Sequence, residues 1–126
     1  MAQPKFLLIR EIGAGLWNEI HHVLTQLLAA EIIQRIPVVY WGKGSLNSSS
    51  DGTNAFELFF QPISDYDIHD LAKKEFSFYP EGWNSENILM PTPRFSENVR
   101  HIAMEPMVTW DAEVCVSDNY IDVEKL

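Results

Sequence analysis

The chain has 126 residues, 46% of them hydrophobic and 12% aromatic, which is ample for one folded domain and too little for two. Nine Lys and Arg stand against 18 Asp and Glu, a net charge of −9, so the basic surface that phosphate backbones and anionic membranes require is missing, and neither nucleic acid nor membrane is expected as a partner. The lone Cys115 and an N-terminus without a basic-then-apolar leader fit a cytoplasmic setting.

Phe6-Leu7-Leu8-Ile9 reads as a buried strand, and Arg10-Glu11-Ile12 leads from it into a tight loop, Gly13-Ala14-Gly15. Leu16, Ile20, Val23, Leu24, Leu27, Leu28, Ile32 and Ile33 then recur at helical spacing and predict an amphipathic helix from about Asn18 to about Arg35. Asn18 is the expected N-cap, Glu19 places a negative charge at the positive end, and Arg35 sits at the other end before Pro37. The same stretch holds Asn18, Glu19, His21, His22, Gln26, Glu31, Gln34 and Arg35, too many polar groups for a bilayer span. Pro37-Val38-Val39-Tyr40-Trp41 is a second strand, halted at Gly42. Strand, glycine loop, helix and strand form a βαβ unit, whose crossover is right-handed and whose loops at the strands' carboxyl ends are the usual ligand site.

Gly44 to Thr53 is a polar surface loop, and Asn54 caps a short helix running to Phe60. Asp65 to Lys74 holds another short helix with Ile68 and Leu71 inward, whereas Pro80, Gly82, Pro91 and Pro93 break up Phe76 to Arg94. Glu113 to Ser117 alternates as a third strand, and Asn119 to Leu126 opens a further periodic, helix-like segment. The expected fold is α/β, a Rossmann-like βαβ half-domain with an irregular C-terminal part, residues 1–126 forming one domain.

The loop Gly13 to Asn18 is the best candidate site, because glycines admit a ligand to the backbone and a helix N-terminus offers N–H groups to an anion such as the phosphate of a sugar nucleotide. A plain strand-to-helix turn uses the same residues, and the third glycine of a dinucleotide fingerprint is missing. Gly42-Lys43-Gly44-Ser45 looks like the end of a P-loop, but Pro37 stands where the upstream glycine belongs, so the site is expected at Gly13 to Asn18 rather than around Lys43. A β-branched residue at Gly15 should block ligand approach and, if φ is positive there, strain the turn. Glu19 and His22 have the i, i+3 spacing of di-iron bundles, yet no second Glu-x-x-His occurs, so no metal and no cofactor is expected. Of the four tryptophans most are expected in the core, with Trp41 near enough to the second strand's end to stack on a sugar. Cys115 reads as a small buried hydrophobe.

The run Gly13-Ala14-Gly15-Leu16-Trp17-Asn18-Glu19-Ile20-His21-His22-Val23, followed by Gln34-Arg35, Val38 to Trp41 and Phe60-Gln61-Pro62-Ile63-Ser64, resembles the first domain of fucosyltransferase-like glycosyltransferases. The similarity is to the alpha-1,6-fucosyltransferase and nodulation-fucosyltransferase group, with protein O-fucosyltransferases more distant, and it spans about residues 5–64 in the same order. It implies a GT-B fold and metal-independent, inverting transfer of fucose from GDP-fucose, a nucleotide-sugar, to a glycan or protein acceptor. Substrate-binding roles then fall on Gly13, Gly15, Leu16, Trp17 and Asn18, with Trp41 added as the stacking ring. Glu19 and His22 are the nearest candidates for a catalytic base. The diphosphate-gripping Arg belongs to the family's second half, so the chain would be the N-terminal, acceptor-side half of a two-domain enzyme, inactive without its C-terminal domain and prone to self-association. Ser48-Ser49-Ser50-Asp51-Gly52 replaces the tyrosine-rich loop of the core fucosyltransferases. The other reading is a non-catalytic stand-alone α/β interaction module, or a truncated gene product.

Overall fold

In a computed structural model, residues 4–11, 15–42, 54–79, 82–89 and 111–117 are described. Among these residues four parallel strands form one sheet. Strand β1 (Phe6–Arg10) lies between β2 (Ile36–Tyr40) and β4 (Val114–Ser117), and the short β3 (Phe78–Tyr79) lies outside β4. Leu8 stands opposite Val38 on one side and Val116 on the other. Every residue of β1 is buried, as expected of a central parallel strand covered on both faces.

The two-residue alternation of the strands divides the core. Leu7, Ile9, Val39, Trp41 and Cys115 point to the face covered by helix α1 (Leu16–Ile33), together with Ala55 and Phe56 of a 3-10 turn, Ala55–Leu58. Phe6, Leu8, Val38, Tyr40, Val114 and Val116 point to the other, where the one-turn helix α2 (Ile68–Leu71), Trp83 and Ile88 cover them. Asn54 fixes the first of these turns: its side-chain carbonyl accepts from the Trp41 and Phe56 N–H groups at 2.9 and 3.2 Å. Asp67 and Asp70 close a capping box around α2, which buries Ile68 and Leu71 as their spacing predicts.

Three expectations change. Helix α1 starts at Leu16 rather than near Asn18, because Gly15, extended at φ −66° and ψ 167°, is its N-cap and its carbonyl accepts the Glu19 N–H at 3.0 Å. The helix stops at Ile33, where Gln34 turns left-handed (φ 58°, ψ 45°) and the Arg35 N–H donates to the Ala30 carbonyl at 3.0 Å. Arg35 therefore leaves the helix end and is buried, donating to the carbonyls of Ala112 at 2.9 Å and Phe6 at 3.1 Å, a tie between β1 and the approach to β4. Second, the stretch expected to lack long regular elements adds a fourth strand to the three expected, the two-residue β3, held where the Glu113 carboxyl group accepts from the Ser77 N–H at 2.9 Å.

The third change concerns the phase of α1. Of the eight apolar positions, only Val23 is buried, while Leu24, Leu28 and Ile32 are 62%, 54% and 46% exposed and Trp17 is 80% exposed. The sheet side carries Glu19, His22, Val23, Gln26, Ala29 and Ala30. Ala29 and Ala30 let the helix lie close to the sheet, and the polar trio occupies its N-terminal half. The period is helical, but the buried side is rotated: Leu16, Ile20 and Leu27 are half-buried at its edge, packed with Val23 on the core of that face, while Leu24, Leu28 and Ile32 fall outside it.

Candidate functional site

Buried polar groups gather at the carboxyl ends of the central strands. The chain leaves β1 toward β2, away from β4, and the crevice beyond such a pair of neighbouring carboxyl ends is where open parallel sheets take ligands. On the α1 face, Glu19, Gln26 and Ser117 are fully enclosed and His22 is nearly so. The Ser117 hydroxyl donates to Gln26 Oε1 at 2.8 Å, and His22 Nε2 lies 3.4 Å from the Ser117 carbonyl. The i, i+3, i+7 spacing of Glu19, His22 and Gln26 puts all three on one side of the helix, and Ser117 follows from β4 alternation, with Cys115 two residues earlier on the same face. Gln26 Nε2 is buried without a hydrogen-bond partner among the described residues.

On the opposite face Arg10 is fully buried. Its guanidinium donates to Glu11 Oε1 at 2.8 Å and to the Ile88 carbonyl at 2.7 Å, and lies 5.5 Å from the Tyr40 ring centroid and 5.2 Å from that of Trp83. Burial pushes the Tyr40 phenol above its ordinary pKa; Arg10 opposes that shift and Glu11 adds to it. Glu11 Oε2 has no partner among the described residues. Burial likewise raises the Cys115 thiol above its usual value, so it sits in the core as a neutral thiol.

Between these faces the first turn of α1 is open. Gly15, Trp17 and Asn18 are exposed, Leu16 is half-buried, and among the described residues no side chain caps the helix. The backbone N–H groups of Leu16, Trp17 and Asn18 therefore point outward from an 18-residue helix whose dipole favours an anion. Gly15 is not at positive φ, and a Cβ placed on it would meet nothing within 4 Å, so a side chain there carries no backbone strain. Its smallness matters only to an approaching ligand.

The residues singled out from sequence fall into two groups. Gly15, Leu16, Trp17 and Asn18 come together at the open turn, whereas Gly13, Lys43 and Asn119 to Leu126 lie outside the described residues. Trp41 is fully enclosed, edge-to-face on Phe56 at 5.2 Å between centroids, so its ring offers no face to a sugar. Glu19 is fully enclosed and His22 is buried beside Ser117 of β4, which leaves neither open to an acceptor hydroxyl; of the two adjacent histidines it is His21 that faces solvent. Arg10, Glu11, Gln26 and Ser117 were not singled out as site residues. Gln26 was the most detectable of them, since it continues the Glu19–His22 stripe. Among the described residues no three His, Cys, Asp or Glu side chains converge on a metal position, and no helix is long and apolar enough to cross a membrane. No protein-family model, curated protein or solved structure matches the chain.

Proposed function

We propose that this α/β unit is the acceptor-side half of a GT-B glycosyltransferase resembling fucosyltransferases, and that its open α1 turn meets the phosphate of a nucleotide-sugar such as GDP-fucose. The observation that carries this reading is the uncapped, exposed first turn of α1 at the carboxyl end of β1, beside an enclosed polar cluster at the neighbouring end of β4. The N–H groups of Leu16, Trp17 and Asn18 face an incoming anion without first breaking a side-chain cap. Glu19 and His22 act here as positioning residues: enclosed with Gln26 and Ser117, they set the helix, and so its first turn, relative to β4. The clamp on the leaving diphosphate belongs, by the resemblance, to a second half.

Two expected results follow from this. Gly15→Val folds as the wild type does, since its Cβ meets no atom, but weakens calorimetrically measured GDP binding about tenfold or more by filling the approach to the turn. Equal GDP affinity in wild type and variant contradicts the site. Purified residues 1–126 alone turn over no GDP-fucose, because the charge developing on the diphosphate lacks its stabilising partner. Release of GDP above a protein-free control, with a glycan acceptor present, contradicts the half-enzyme reading.

One observation favours the second reading, a non-catalytic interaction module. Trp17, Leu24, Leu28 and Ile32 present an apolar strip to solvent along the whole of α1.

A further inference from the structure

The outward side of α1 has a finer pattern than a general apolar surface. Trp17, His21, Leu24, Leu28 and Glu31 follow one another at steps of four, three, four and three residues, the seam spacing of a coiled coil, and all five are exposed. Ile20 and Ile32 flank the seam, Ile20 half-buried and Ile32 exposed. The opposite side of the same helix is occupied by the sheet, so the seam faces away from the fold. A helix that buries Val23 among Glu19, His22 and Gln26 while Trp17, Leu24 and Leu28 stand on an outward heptad seam is built to meet another helix.

We propose that the occupant of this seam is a second copy of the chain, with two α1 helices packed antiparallel about a twofold axis level with Gln26. In that register Leu24 of one copy lies opposite Leu28 of the other, and His21 lies opposite Glu31, each pair occurring twice by symmetry. The imidazole N–H of His21 donates to the Glu31 carboxyl group of the second copy. A parallel pairing sets His21 against His21 and Glu31 against Glu31, so the polar ends of the seam select the antiparallel arrangement. The pairing consists of two Leu–Leu and two His–Glu layers, fewer contacts than an obligate interface carries, which gives a reversible dimer rather than an obligate one. The paired layers run from His21 to Glu31 and leave out Trp17 and the open first turn, so this pairing is independent of the nucleotide-sugar reading.

Sedimentation of the whole chain over a range of micromolar concentrations tests the pairing. The wild type should shift from monomer toward dimer as concentration rises. Leu24→Glu changes an already exposed position, so it should keep the wild-type circular dichroism and weaken the dimer about tenfold or more. Glu31→Lys, which sets Lys against His21, should weaken it as well, and His21→Glu combined with Glu31→Lys should restore it, because the exchanged charges again face their opposites only in the antiparallel register. A wild type that stays monomeric, a dimer indifferent to Leu24→Glu, or a double variant no stronger than Glu31→Lys alone overturns the proposal. GDP affinity measured on Leu24→Glu should equal that of the wild type, which keeps a failure here separate from a failure at the α1 turn.

Discussion

Replacing Arg10 with alanine should cost about 3–5 kcal/mol of folding stability, read as a lowered denaturation midpoint at an unchanged denaturant slope. The guanidinium is wholly enclosed and satisfies both Glu11 Oε1 and the Ile88 carbonyl while filling the space between Tyr40 and Trp83. Alanine leaves the Glu11 carboxyl group buried without its cation and opens a cavity between two aromatic rings. Adding Glu11→Gln to Arg10→Ala should recover part of the loss, because it removes the stranded charge and leaves only the cavity. An Arg10→Ala cost below about 1 kcal/mol would mean that the ion pair is not buried as described.

Trp41→Ala should be of similar size, about 3–5 kcal/mol, since it removes the largest fully enclosed side chain from the α1 face of the core. Trp41→Phe should cost much less: it keeps a ring near Phe56 and also removes an indole N–H that has no partner among the described residues. With thermal unfolding as the stability readout and GDP or sugar titration as the binding readout, Trp41→Phe should leave binding unchanged. A clear loss of sugar binding in a folded Trp41→Phe protein would return this ring to the ligand site.

The sequence carries the strands more plainly than the helix. Phe6 to Ile9 and Val38 to Tyr40 are short, continuous apolar runs bounded by polar or turn-forming residues, and strands of a covered parallel sheet have that form whichever face each residue takes. Arg10 in place of a further apolar residue gave no sign of its burial, because its partners Ile88 and Trp83 lie more than 70 positions away. For α1 the period was legible and the phase was not. A hydrophobicity rule turns Leu24, Leu28 and Ile32 inward with Leu16, Ile20, Val23 and Leu27, but the small Ala29 and Ala30 take the sheet side and rotate those three outward. The buried polar trio is the other half of that error: for His22 and Gln26, Ser117, on a strand more than ninety residues later, supplies part of the hydrogen bonding. Only the stripe itself could have signalled it. Strand β3 was invisible for a simpler reason, since Phe78 and Tyr79 are too few to alternate and owe their conformation to β4.

The open turn of α1 was legible from the glycines and the onset of helical spacing, although its cap was misplaced by three residues. Asn18 has the side chain of a good cap, but Gly15 already provides the carbonyl that accepts the Glu19 N–H. The shift strengthens the anion reading, because a helix capped by Asn18 would have one of its N–H groups occupied by that side chain, whereas a helix beginning at Leu16 leaves its first turn without one.

We propose that a nucleotide-sugar meets this chain at the first turn of α1. The most direct test is an amide chemical-shift titration of the whole 126-residue chain with GDP, carried to millimolar concentration. Saturable shifts are expected at Gly15, Leu16, Trp17, Asn18 and Glu19, with smaller ones at His22, Gln26 and Ser117 behind them. Shifts confined to Gly42 and the residues that follow it, with the α1 turn unmoved, would contradict it.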